Sequence, residues 1–186
     1  MRRLFLVRHA DTRIQDGVPA ASWPLSERGG ERARALAARI APRGLECIYS
    51  SVEPKAIGTA SELASVLEVP VRSIAGLHEH ERSMVPLSSR EAFEENIRRL
   101  FAEPAACTFG DESAEAAHIR FDEAVSPLIA NSPDDLVVVT HGTVLTLFVA
   151  ARCGVEPFQF WRNLGTPAAV TLTLPDFSLD AVVGVD

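Results

Sequence analysis

Apolar residues along the chain follow two alternating rhythms. Short dense runs at Leu4 to Val7, Glu46 to Ser50, Val69 to Ile74, Leu136 to Thr140 and Val170 to Leu174 have the length and β-branched content of strands. Between them, apolar residues recur every three to four positions, the period of a helix with one buried face. The alternation predicts an α/β protein of three layers, α/β/α, with a mostly parallel central sheet and helices on both faces. The run LVVVT at 136–140 is apolar on both faces, as a central parallel strand requires.

Four helical stretches fill the intervals. In PLSERGGERARALAARIAPRG, Ala33, Leu36, Ala37 and Ile40 make one buried stripe, with Ser26 as its cap and Pro42 and Gly44 as its end. In SSVEPKAIGTASELASVL, Ser50 and Glu53 have capping-box spacing, and Ile57, Ala60, Leu63, Ala64 and Leu67 form the stripe. From Gly76 to about Ala130 the pattern turns charged and weakly amphipathic, which we read as a helical insertion at about 76–130 over one end of the sheet. TVLTLFVAARCG is apolar nearly all round and stops at Gly154, as a buried helix with a glycine stop does. No repeat or Gly/Ser linker interrupts the chain, so residues 1–186 are expected to form a single domain.

Composition narrows the function more than the fold. The 186 residues are 47% hydrophobic, enough for a real core. Only four apolar residues separate Met1, Arg2 and Arg3 from Arg8, too few for a signal peptide or a membrane span, so a cytoplasmic location without membrane association is expected. A net charge of -7 argues against nucleic acid as a partner. Cys47, Cys107 and Cys153 are odd in number and widely spaced, which fits buried free thiols rather than disulfides or a zinc cluster.

Candidate chemistry sits at the ends of two strands. His9 follows LFLV by one residue, beside Arg8, and His141 follows LVVVT directly. In open parallel sheets, ligands collect outside the carboxyl ends of strands where the winding direction switches. His141-Gly142 also opens a helix, whose first amides favour an anion. Arg8, His9, His141 and a helix N-terminus together describe an anion site suited to a phosphoryl group. Two other signals are weaker: HEHE at 78–81 would let His78 and His80 share a metal, and His118 reads as a half-buried helix residue. No G-x-x-x-x-G-K-[ST], G-x-G-x-x-G or G-x-S-x-G is present.

Five stretches in order carry a resemblance. LVRHADT resembles the R-H-[GA]-x-T signature of the histidine phosphatase superfamily, the phosphoglycerate mutase-like family. PLSERGGERA, IYSSVEPKAIGTA, GDES and VVVTHG resemble that family's later motifs, from about Arg3 to Pro175. The resemblance implies that His9 attacks a phosphomonoester, that Arg8 and His141 bind the phosphoryl oxygens, and that water then releases phosphate from His9. It implies no metal or other cofactor. Glu79 falls where the family places its proton donor, with Glu81 as fallback.

Two departures from the family pattern stand out. Lys55 occupies the position of a second arginine, keeping the charge but losing the planar fork that grips two oxygens. Gln15 stands where Asn is common and, with Thr12 and Gly142, completes the phosphate-binding set; HERSMVPLSS replaces an aromatic and acidic stretch after the acid. At this length a phosphatase is favoured over a mutase. The expected substrate is a small phosphorylated metabolite or a phosphoprotein, and the oligomer is a monomer or a homodimer. The rival reading is a catalytically weak or silent phospho-ligand binder.

Overall fold

The first strand, β1 (Arg2–Arg8), is buried over its middle, because Leu4 and Leu6 face one layer of helices while Phe5 and Val7 face the other. The same two-sided burial marks β4 (Leu136–Thr140), its parallel neighbour, which pairs Leu4 with Leu136 through Arg8 with Thr140. These features come from a computed structural model that describes residues 1–83 and 89–185. With β2 (Ile48–Ser50), β3 (Val71–Ser73), β5 (Ala168–Leu174) and β6 (Ser178–Gly184), the strands form one sheet in the order β3-β2-β4-β1-β5-β6. It is parallel from β3 to β1 and antiparallel at β5 and β6, so the sheet is mixed.

On one face lie α1 (Glu27–Ala37) and α2 (Pro54–Leu67); on the other lie α4 (Ala114–Asn131) and α5 (Gly142–Cys153). The predicted stripe Ala33, Leu36, Ala37 and Ile40 is buried, although α1 ends at Ala37, before Pro42. Ser26 caps this helix, its Oγ accepting from Gly29 N at 3.0 Å. At α2 the expected capping box does not form: Ser50 still belongs to β2 and its hydroxyl donates to Ser51 O. Glu53 is the N-cap, and Pro54 opens the helix. Ile57, expected in the stripe, is exposed.

The charged stretch divides into two helices. Ala117, Phe121, Val125 and Ile129 of α4 belong to the same core as α5, so α4 is a sheet-covering helix rather than part of an insertion. Ahead of it, α3 (Arg90–Ala102) packs Ile97 and Leu100 with Phe109, Phe158 and Trp161, the last two from α6 (Pro157–Asn163). Residues 84–88, within the HERSMVPLSS stretch that departs from the family pattern, lie outside the described residues. Cys47 is buried as expected, Cys153 is half-buried, and Cys107 is exposed.

Candidate active site

β1 leads into α1 on one face, whereas β4, its parallel neighbour, leads into α5 on the other, so a crevice opens between their carboxyl ends. His9 N donates to Thr140 O at 2.9 Å, extending the ladder by one step. This brings the His9 and His141 rings to a centroid distance of 5.1 Å at 62°. The neighbouring turn is tied to α2, because Ala10 N donates to Thr59 Oγ1 (3.0 Å), whose hydroxyl donates to Lys55 O (2.7 Å).

His9 Nδ1 lies 2.8 Å from Ala10 O, an acceptor only, so Nδ1 carries the proton and Nε2 keeps its lone pair. Burial is the main force pushing the His9 pKa down to about 3; the Ala10 carbonyl opposes it, and Lys55 and Arg8 add to it. His141 is fully buried and held well below the usual histidine range, by burial first and by His9 second. Ser51 Oγ accepts from Glu53 N (3.2 Å) and bonds to His141 Nε2 (2.8 Å); when the Ser51 hydroxyl donates in that bond, the proton of the neutral ring sits on Nδ1.

Among the described residues, several buried polar atoms near this crevice have no partner, including His141 Nδ1, Arg8 Nε, Arg82 Nη1, Thr143 Oγ1 and His80 Nδ1. Each orphaned group costs about 1 to 3 kcal/mol unless a ligand or water answers it, so their clustering leaves the crevice able to take a hydrogen-bonding group. Arg8 is aimed by one bond, Nη1 to Leu164 O at 2.6 Å. Gly142 makes room for it, since a Cβ there would stand 3.1 Å from Arg8 Nε and 3.2 Å from Cζ.

Glu79 is in the site, on a loop held by the Thr140 hydroxyl bonding to Leu77 O at 2.7 Å. Its carboxylate accepts from Thr143 N (3.1 Å), Val144 N (3.2 Å) and His80 N (2.9 Å), and Arg82 Nη2 lies 3.5 Å away. Burial alone would raise its pKa, but Arg82, His141 and these amides outweigh it and hold the carboxyl well below the usual carboxylate range. Two amides expected to meet a phosphoryl group at the start of α5 are therefore already occupied by Glu79. The fallback, Glu81, is half exposed and pairs with His78 at 3.1 Å.

Lys55 is buried beside the two histidines but is not free. Its Nζ donates to Ala20 O (2.7 Å) and to Glu53 Oε2 (2.5 Å). Sequence reasoning took Glu53 only as a capping residue. In the structure its other oxygen accepts from Glu79 N (2.8 Å) and lies 3.5 Å from His141 Nε2, which makes it the hub joining Lys55, Glu79 and His141. Arg82 was also missed, although it stands three residues after Glu79 in the same polar run. Thr12 and Gln15 are half-buried in the loop after β1, where Thr12 bridges to Leu25. Among the described residues neither side chain bonds to Arg8, His9, Lys55 or His141.

His80 Nε2 lies 2.8 Å from Glu112 O and its ring stacks on Phe109, so it does not join His78 in a shared pair of ligands. The GDES stretch braces this loop: Asp111 N donates to Glu81 O (2.7 Å), and Ser113 caps α4 through Ala116 N (3.1 Å). Alongside lies a cavity of about 500 Å³ lined by Lys55, Glu53, Glu79, Arg82 and Ser83 among others.

The model of the histidine phosphatase superfamily (branch 1) matches residues 4–178. The chain belongs to this superfamily. Phosphoserine phosphatase 1 of Hydrogenobacter thermophilus is 31% identical over 175 residues, covering 87% of this chain and 81% of that protein. Two solved structures share the fold. One is phosphoserine phosphatase from Entamoeba histolytica in complex with 3-phosphoglyceric acid (TM-score 0.77, 22% identity, 100% of this chain and 98% of that one). The other is a mycobacterial glucosyl-3-phosphoglycerate phosphatase complexed with VO3 (TM-score 0.75, 25% identity, 97% and 98%). Among the described residues no helix is long and apolar enough to cross a membrane.

Proposed function

We propose that this chain hydrolyses small phosphomonoesters through a phosphohistidine formed at His9. The observation that carries the reading is His9 itself: a neutral imidazole with Nδ1 committed to Ala10 O and a free Nε2 beside two orphaned donors, His141 Nδ1 and Arg8 Nε. The Nε2 lone pair attacks phosphorus, the ester P–O bond breaks, and the leaving oxygen takes a proton from Glu79. Arg8 and His141 hold the charge that spreads over the phosphoryl oxygens. Water then attacks phosphorus, the P–N bond breaks, and Glu79 takes the proton that water loses.

Glu79 is ionised in the free protein, so it needs a proton before it can act as the acid. A phosphomonoester dianion set beside it raises its pKa by like-charge repulsion, which lets the carboxyl be loaded on binding. The cavity size and the relatives named for phosphoserine and glucosyl-3-phosphoglycerate support a small phosphorylated metabolite over a phosphoprotein. One observation favours the silent-binder alternative, namely that Lys55 spends its charge on Glu53.

Hydrolysis of an aryl phosphate between about pH 5 and 8 with chelator present, in wild type and His9→Ala, tests the reading. Turnover that His9→Ala abolishes, with an acid-labile phosphoryl group trapped on the wild-type protein, is the expected result. Absence of turnover together with retained phosphate binding would make the chain a binder instead.

A further inference from the structure

We infer that Arg120, on α4, is the positioning residue of the proton donor: it fastens the loop that carries Glu79 to the core and so sets where the Glu79 carboxyl meets the ester oxygen. The inference rests on the phosphatase reading above, in which Glu79 protonates the leaving alcohol.

All five N–H groups of the Arg120 guanidinium are engaged, and every partner lies in the loop of the acid or in the GDES stretch that braces it. Nη1 donates to Gly76 O (2.8 Å) and His78 O (3.0 Å), and Nη2 donates to Glu79 O (3.2 Å). The remaining two reach the Glu112 carboxylate, Nη2 to Oε1 at 2.5 Å and Nε to Oε2 at 3.3 Å. Glu112 passes the hold on: its Oε1 accepts from Glu81 N (2.9 Å), and its carbonyl oxygen lies 2.8 Å from His80 Nε2. One side chain thus secures the loop on both sides of Glu79.

The support is rigid and leaves no slack. Ala117 and Phe121, on either side of Arg120 in α4, are fully buried in the core. The loop crosses this helix at Gly76 (φ 88°), where a Cβ would stand 2.8 Å from Ala124 Cβ. The Glu79 backbone is pinned at both ends, its N donating to Glu53 Oε1 (2.8 Å) and its O accepting from Arg120. The carboxylate can meet the Thr143 and Val144 amides only while that backbone stays in place. A lysine at 120 would offer a single ammonium in place of a fork that spans the carbonyls from Gly76 to Glu79.

Holding the acid has a kinetic signature of its own. A proton donor must come within about 2.6 to 3.2 Å of the oxygen it serves. A displacement of about 1 Å costs on the order of a hundredfold. That cost falls on esters whose alkoxide is too basic to leave unprotonated, and it spares an ester whose leaving group departs as a stable anion. A brace for the fold alone would lower turnover of both alike.

The test compares phosphoserine, an alkyl ester, with 4-nitrophenyl phosphate in wild type, Arg120→Met, Arg120→Lys, Glu79→Gln and Arg120→Met combined with Glu79→Gln. In Arg120→Met, kcat on phosphoserine is expected to fall by about tenfold to a hundredfold with little change in KM, and on the aryl ester by about threefold or less. Both esters are read on the same protein, so the folded fraction cancels from their ratio. Arg120→Lys is expected to lie between wild type and Arg120→Met, and it carries the test if Arg120→Met does not fold. On phosphoserine the combined variant is expected to be no slower than Glu79→Gln. Equal losses on the two esters, or losses that multiply in the combined variant, would overturn the inference. The amide resonances of Thr143 and Val144 give a readout without turnover. They are expected to move in Arg120→Met toward their positions in Glu79→Gln, and unmoved resonances would overturn the inference as well. Should wild type hydrolyse neither ester, the phosphatase reading fails and Arg120 is judged by these two amides.

Discussion

A buried lysine beside two histidines would ordinarily be read as a phosphate clamp, and the chain places a carboxylate two residues earlier that changes its meaning. The Glu53 and Lys55 side chains are 8% and 7% exposed, and each is the other's main counter-charge. Removing one partner of such a pair leaves an uncompensated buried charge, so Lys55→Met is expected to lower unfolding free energy by about 3 to 5 kcal/mol. Replacing both, Glu53→Leu with Lys55→Met, should recover part of it, the remainder being the Glu79 amide that loses its acceptor; urea unfolding of the three proteins measures the difference. At Gly142, an added methyl group would press on the Arg8 guanidinium, so Gly142→Ala is expected to lower kcat/KM by roughly tenfold or more with little change in unfolding midpoint. Arg8, His9 and His141 were legible in the sequence because each lies at or beside the end of an apolar run. Glu53 and Arg82 were not, because their partners come from other segments and only the folded chain brings them together.

Helix ends and edge strands show the same division between local and tertiary information. Ser26 was readable as a cap because the bond it makes is local, to Gly29 N. It also donates through its hydroxyl to Asp11 O at 3.0 Å, in the loop that follows His9. Ser26→Ala should therefore destabilise the protein by about 1 to 2 kcal/mol, the upper part of the usual range for a lost cap, as read from the denaturant midpoint. The capping box at Ser50 and Glu53 had the right spacing, but the strand continues through Ser50 and takes that residue away from the helix. α4 read as part of an insertion because its core face, Ala117, Phe121, Val125 and Ile129 with Ala124 and Leu128 beside them, is interleaved with charged residues. β6 left no mark because it is an edge strand with almost every residue exposed, and nothing in its pattern requires an inward face.

Across the whole molecule, acid is the condition to which this arrangement is most sensitive. His9 and His141 stay neutral in the folded protein, whereas in the unfolded chain each titrates near its ordinary value of about 6.5. Below that pH the unfolded state takes up protons that the native state refuses. Stability present above about pH 6.5 is therefore lost as pH falls, by about 1.4 kcal/mol per pH unit for each such group. For His9 the loss continues down to its native pKa of about 3. The depressed Glu79 acts in the same direction, but only below the ordinary range of a carboxylate. Urea midpoints at pH 7.5 and 5.5 should differ clearly, and a level profile would contradict the neutral pair.

The carboxylate that closes the start of α5 belongs to the residue cast as proton donor, which ties the helix end to the catalytic cycle. When Glu79 is protonated, the amides of Thr143 and Val144 lose the negative charge they were facing. In the mechanism proposed above, the phosphoryl group would bring a fresh negative charge to that neighbourhood as the acid gives up its own, so substrate and acid would share the part of counter-ion to one helix dipole.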